Sequence, residues 1–238
     1  MNNKKRMIVL DTETTGMNSV GPPYLNHRVI EIGAIEIINR RFTGKKFHSY
    51  IKPNRLIESS ASKIHGITDD FLLDKPSFKD IAKDFFNYIK NSELIIHNAS
   101  FDVGFINQEF SMLSGKIQDI SNFCSIIDTL KIARKLFPGK KNTLDALCVR
   151  YKIKNSHRIL HGAILDAFLL GKLYLLMTSG QESISFDKNV ENKKYFGDFQ
   201  KLTIKENRSL KILKANKEEL KLHKEYLRYL KKKKEYIL

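Results

Sequence analysis

Asp11 and Glu13 sit in the stretch Ile8-Val9-Leu10-Asp11-Thr12-Glu13-Thr14-Thr15-Gly16, a short apolar run that passes into two carboxylates and stops at a glycine. On a strand, alternate side chains share a face, so the two acids point the same way, roughly 6.6 Å apart along the backbone. That spacing suits a metal ion held between them. A solvated strand tip followed by a threonine-rich turn has the same composition, and the stretch alone does not separate the two. Asp102 opens a second candidate region, just after His97-Asn98. A carboxylate there is favoured by the partial positive charge of a helix start, which is also the commonest reason for an acid in such a place. Asp166 lies among Ile164, Leu165, Ala167, Phe168 and Leu169. A lone acid in so apolar a run is costly unless it is paired or ligates a cation. His161 stands five positions earlier, about 140° around a helix, so the two cannot share one helical face. His161 is therefore expected on the loop leading into that helix; standing alone it would read as an ordinary surface or core histidine.

If the four acids converge, they repel: two charges 4 Å apart cost about 4 kcal/mol at an effective dielectric near 20. Divalent cations relieve that repulsion, and a purely oxygen ligand set selects hard ions such as Mg²⁺ or Mn²⁺ over Zn²⁺. Two such ions about 3.5 to 4 Å apart form the clamp used to hydrolyse phosphodiesters. A histidine with an ordinary pKa near 6.5 is a suitable base for the attacking water.

The elements that must place these residues follow from periodicity. Val29 to Ile38 reads as a strand buried mainly on one face, and Lys46 to Ile51 as its partner across a turn at Thr43-Gly44, completing an antiparallel meander with the first strand. Ser77 is placed to cap a helix over 78–90, and Glu93 to Asn98 is a short apolar strand leading into a helix over 101–113. Further helices fit 130–137, stopped by Pro138-Gly139, then 143–151, and about 162–177. Strands first, then alternating strand and helix, make an α/β fold: a mixed sheet with helices on its faces. The catalytic domain is expected over 1–180, a polar linker over 181–200, and a basic tail over 201–238. That tail carries 13 Lys and Arg against 5 Asp and Glu, with Leu213, Leu220 and Leu227 seven residues apart, the pattern of an amphipathic basic helix on a tether.

At 238 residues and 42% hydrophobic content the chain can bury a full-sized core. The basic start, Met1 to Arg6, is followed by an apolar run too short for a secretory signal, and no segment has membrane-spanning length, so a soluble cytoplasmic protein is expected. Cys124 and Cys148 lack metal-like spacing and read as reduced, buried residues. The net charge of +16 fits a polyanionic partner such as nucleic acid. The richness in Lys, Asn and Ile also fits an A/T-rich genome, which produces such a bias without selection for binding.

Taken together, Asp11-Thr12-Glu13-Thr14-Thr15-Gly16, His97-Asn98-Ala99-Ser100-Phe101-Asp102 and His161-Gly162-Ala163-Ile164-Leu165-Asp166 resemble the three exonuclease motifs of the DEDD superfamily, in its histidine-bearing branch. Phe137-Pro138-Gly139-Lys140-Lys141-Asn142-Thr143-Leu144 and the residues to Cys148 narrow the resemblance to the proofreading exonuclease subunits of bacterial replicative DNA polymerases. The resemblance implies an RNase H-like fold and 3′-to-5′ hydrolysis of mispaired DNA ends with release of nucleoside monophosphates. It implies that Asp11, Glu13 and Asp166 ligate two divalent cations, Mg²⁺ or Mn²⁺, that Asp102 holds the second, and that His161 deprotonates the nucleophile. Asp11, Glu13, Asp166 and His65, in His65-Gly66-Ile67, would also meet the terminal nucleotide. The family often has a carboxylate five residues before that histidine, where this chain has Ser60. Gln181, Ile184 and Phe186 resemble the anchors of a sliding-clamp motif, although the same hexapeptide would serve as an ordinary linker. The tail would dock on the catalytic alpha subunit, with the small theta subunit as a further optional partner; a solvated helix or a non-specific DNA-binding arm has the same composition. Two other functions share these motifs: an exoribonuclease trimming RNA ends, and an inactive scaffold of the polymerase.

Overall fold

The strand carrying the first two acids is β1 (Arg6–Thr14), and the sheet is built outward from it. β1 pairs antiparallel with β2 (Val29–Ile38), which pairs antiparallel with β3 (Arg41–Tyr50). On its other side β1 pairs parallel with β4 (Glu93–Ile96), and β4 pairs parallel with β5 (Ser125–Asp128). The order β3-β2-β1-β4-β5 makes β1 the central strand of a mixed sheet. The computed structural model describes residues 6–114, 119–154, 160–179 and 215–234. Contacts divide the chain into two compact units, Met1–Ser183 and Ile184–Leu238.

The helices of the first unit are α1 (Ser59–His65), α2 (Asp69–Leu72), α3 (Phe78–Ile89), α4 (Ala99–Ser114), α5 (Thr129–Leu136), α6 (Leu144–Arg150) and α7 (Ala163–Met177). α3 begins as its sequence dictates, on a capping box between Ser77 and Asp80, in which Ser77 N–H donates to Asp80 Oδ2 at 2.8 Å and Ser77 Oγ donates to the same oxygen at 2.6 Å.

Side-chain parity on β1 sorts the two layers. Ile8 and Leu10 enter the core shared with Phe78, Phe85, Phe105 and Ile106 of α3 and α4. Met7 and Val9 enter the core shared with Ala133, Leu147, Ala167 and Leu170 of α5, α6 and α7. By the same alternation Asp11 and Glu13 face the α7 layer, and Thr12 and Thr14 the α4 layer. The site therefore lies where β1 outruns both layers of packed apolar side chains.

Two details differ from the sequence expectation. β2 is buried at every position from Val29 to Ile37, on both faces, because it is flanked by two strands and covered by α7 on one side and α4 on the other. The β2–β3 hairpin turns at Asn39-Arg40, both in the left-handed region (φ 52° and 61°), and Thr43-Gly44 lies inside β3. Two positive φ values match the twist of the flanking strands, which favours this turn over the glycine-bearing alternative downstream. Cys124 and Cys148 are both buried and free.

In the second unit, α8 (Lys217–Lys234) opens on another reciprocal cap, Asn216 N–H to Glu219 Oε2 at 2.9 Å and Glu219 N–H to Asn216 Oδ1 at 2.8 Å. Leu220 and Leu227 share one stripe of α8 and are about half exposed. Leu210 and Leu213 lie outside the described residues.

Candidate active site

Glu13, Asp166 and His161 meet at the end of β1. One potential ligand atom from each lies within 4.8 Å of the others, the one such group of three among the described residues. Asp166, in the first turn of α7, is 3% exposed. Its Oδ2 lies 3.3 Å from His161 Nδ1. Its Oδ1 is buried and receives no hydrogen bond. His161 is on the loop before α7, as its spacing requires, and its backbone N–H donates to the Ile64 carbonyl at 3.1 Å. With Nδ1 directed at Asp166, Nε2 lies on the opposite side of the ring. Asp11 lies on the same face of β1, one pleat earlier and opposite Gly33 of β2.

Sequence reasoning missed what holds α7 here. Glu31, 1% exposed, stands directly across the ladder from Glu13. Its Oε2 accepts the Ala163 N–H at 3.1 Å, satisfying the first amide of α7, and its Oε1 lies 2.7 Å from His48 Nε2 on β3. Gly33 completes the fit. A Cβ there would come within 2.3 to 2.4 Å of the Ala163 and Ile164 backbone, so only glycine lets α7 start this close to the sheet. The signal in the sequence was the acid Glu31 two residues before Gly33 within a mostly apolar strand.

Asp102 lies on the other face. It is 4% exposed, in the first turn of α4, and its Oδ1 accepts a 2.7 Å hydrogen bond from Thr12 Oγ1. Burial pushes its carboxyl up to about 7, against the opposing pull of that hydrogen bond. The structure thus gathers Glu13, His161 and Asp166 directly, and sets Asp102 across β1 from them.

A cavity of about 290 Å³ adjoins Glu13 and is lined by Thr14, Gly16, Glu58, His65 and Phe101 among others. His65 is buried, and its Nδ1 accepts the Ile67 N–H at 3.0 Å, so the proton is carried on Nε2, which has no acceptor in hydrogen-bond geometry. Burial lowers the His65 pKa; the Thr14 carbonyl opposes that shift. Ser60 also lines this cavity. Glu58, two residues earlier, brings a carboxylate to the same wall. Its Oε1 lies 3.7 Å from His27 Nε2 and 3.6 Å from the Arg55 guanidinium. Gln181, Ile184 and Phe186 lie outside the described residues.

The oxygen-rich donor set of Glu13, Asp166 and the nearby Asp11 fits a hard divalent cation. Residues 8–174 match the family description for exonucleases. The chain is 85% identical to the DNA polymerase III subunit epsilon of Buchnera aphidicola subsp. Schizaphis graminum over 233 residues, 98% of this chain and all of that one. It is 50% identical to the epsilon subunit of Escherichia coli K12 over 230 residues, 96% of this chain and 94% of that one. The chain belongs to the DNA polymerase III epsilon-subunit family of exonucleases. Among solved structures it resembles exonuclease X in complex with 5′-overhanging duplex DNA, with a TM-score of 0.54 and 25% identity, over 72% of this chain and 90% of that one. The activity that follows is 3′-to-5′ exonucleolytic cleavage in DNA replication, by a metal-dependent enzyme with an RNase H-like fold. Among the described residues no helix is long and apolar enough to cross a membrane.

Proposed function

We propose that the chain removes mispaired nucleotides from DNA 3′ ends as the proofreading subunit of a replicative polymerase in the bacterial cytoplasm, and that Asp11, Glu13, Asp102, His161 and Asp166 carry the reaction. The supporting observation is the cluster of Glu13, Asp166 and His161, formed by residues far apart in sequence at the mouth of a cavity of nucleotide scale.

Asp11, Glu13 and Asp166 would hold Mg²⁺ or Mn²⁺, with Asp102 contributing to a second ion. When bound, such ions polarise the scissile phosphate and offset the charge that builds up during displacement. The rest is performed by the chain itself. Asp166 Oδ2 orients the His161 ring through Nδ1, so that Nε2 is the atom that accepts the proton of the attacking water. Glu31 and Gly33 fix the start of α7 and so fix both residues. His65 offers its Nε2–H to the terminal nucleotide from a buried wall, and Phe101 supplies an aromatic face on the same cavity. Residues 1–180 form the catalytic domain in this reading. Gln181, Ile184 and Phe186 contact the sliding clamp, 201–238 docks on the alpha subunit, and the theta subunit is a further optional partner.

The test is release of the 3′-terminal nucleotide from a mismatched primer–template by the full chain. Release with Mg²⁺ or Mn²⁺, abolished in Asp166→Asn, is expected; an inert wild-type chain with both metals contradicts the enzyme reading. A strong preference for a matched RNA oligonucleotide would instead favour an exoribonuclease. Removal of 201–238 should leave release intact and end co-elution with the alpha subunit.

A further inference from the structure

A second cleft lies beside the catalytic cluster and is absorbed by none of the roles above. It encloses about 590 Å³ between the end of β4, the last turn of α5 and the Phe137–Thr143 loop, and Asn98, Arg134, Lys140 and Asn142 are among its lining residues. No acid lines it. Arg134 and Lys140 are exposed, and neither has an ion-pair partner among the described residues.

The loop that presents Lys140 is held from several directions. His97, at the end of β4, contacts the Asn142 carbonyl through Nε2 at 2.9 Å, while its Nδ1 lies 2.9 Å from Thr129 Oγ1. A carbonyl only accepts, so Nε2–H is the donor in that contact; burial lowers the His97 pKa, opposed by this hydrogen bond and by the Asp128 carboxylate. Asn142 Nδ2 donates to the Phe137 carbonyl at 3.1 Å. Arg150 donates to Asn142 Oδ1 at 3.2 Å and to the Lys141 carbonyl at 2.9 Å, and its guanidinium lies 4.4 Å from the centre of the Phe137 ring. A surface loop fixed this thoroughly is preorganised, which lowers the ordering cost of binding.

Its position gives the ligand. Asn98 lines this cleft and Phe101 lines the cavity beside Glu13; the two residues close one turn at the start of α4, with Phe101 N–H donating to the Asn98 carbonyl at 3.0 Å. The two cavities are therefore neighbours across the first turn of α4, on the edge of the sheet where the parallel strands β1, β4 and β5 end. A basic cleft with no acid in its lining, next to the cavity beside Glu13, suits the phosphates of a strand whose end lies in that cavity.

We infer that the cleft between the end of β4, α5 and the Phe137–Thr143 loop is a backbone-phosphate subsite for the strand being digested, with Arg134 and Lys140 neutralising phosphates upstream of the scissile one. The inference rests on the exonuclease reading above and names where the body of its substrate is held. Neither residue touches the reacting atoms; both act on binding.

The experiment uses the full chain and two probes: a single-stranded DNA oligonucleotide, and a chromogenic aryl ester of a nucleoside 5′-monophosphate, which has no upstream phosphates. Wild-type hydrolysis of the ester tests the catalytic centre independently of the cleft. In the double variant Arg134→Ala with Lys140→Ala, KM for the oligonucleotide should rise roughly tenfold, the order expected for two screened charge-assisted contacts, with kcat retained. The slope of log KM against log salt should fall by about 1.4, at ~0.7 per phosphate on a single strand. Ester hydrolysis should be unchanged, which also establishes that the variant is folded. Charge reversal at both positions, Arg134→Glu with Lys140→Glu, should raise KM further still. An unchanged KM and salt slope on the oligonucleotide would overturn the inference, as would an equal loss on both probes.

Discussion

On the face of β1 that meets α7, Glu13 shares a cluster with Asp166 and His161; on the face that meets α4, Thr12 donates a 2.7 Å hydrogen bond to Asp102. Both faces bury a carboxylate near the end of the central strand, in different surroundings. Asp102 accepts a hydrogen bond from a neighbouring hydroxyl, and burial raises its pKa to about 7. Asp166 has a histidine on one oxygen and a buried second oxygen that receives no hydrogen bond, beside another acid. The α7 face gathers a buried carboxylate, a histidine and a neighbouring acid, the group on which the proposed metal site rests.

The largest test of that contrast is His161→Gln. If His161 accepts the proton, the rate should fall roughly 10²- to 10⁴-fold in nucleotide release, while Mn²⁺ binding is retained. Loss of metal binding together with the rate would make His161 a ligand instead of a base. Gly33→Ala comes next. Its Cβ would meet the α7 backbone at 2.3 Å, so overpacking should cost about 1–3 kcal/mol in denaturant unfolding and lower the rate by displacing Asp166. A variant with wild-type stability and rate would show that α7 tolerates a shift. The smallest effect concerns Asp102 in metal-free protein. Its folded pKa near 7 exceeds its ordinary 3.8, so the folded state binds the extra proton between those values and the group's contribution is lost as pH rises from about 4 to 7. Asp102→Asn does not titrate, so the Tm of the variant relative to wild type should climb across that range. His65 and His97, lowered from 6.5 by burial, act oppositely and lose their contribution as pH falls below 6.5, but they do so equally in both proteins. A pH-independent difference in Tm would contradict the protonated state of Asp102.

How much of this was legible in the sequence depended on range. Parity placed Asp11 and Glu13 on one face, and the five-residue offset placed His161 before α7, because both follow from local periodicity. The cap of α3 at Ser77 was readable for the same reason. β5, with four residues, and the short helices α1 and α2 have too few positions to show a period. The hairpin turn was misplaced because Thr43-Gly44 carries the familiar composition, whereas Asn39 and Arg40 adopt positive φ to match strand twist. The face Asp102 occupies, and the tie from Glu31 to Ala163, depend on pairs 90 and 132 residues apart. No single-sequence pattern encodes such contacts. Parity on β1 explains them once the two helical layers are assigned.

On the function proposed above, the α7 face of β1 holds the catalytic cation. Titration of the full chain with Mn²⁺, followed by electron paramagnetic resonance, tests it directly in the wild type, Glu13→Gln, Asp166→Asn and Thr12→Val. Binding should be strongly weakened in Glu13→Gln and Asp166→Asn and largely kept in Thr12→Val. Equal binding in all four proteins would contradict the account.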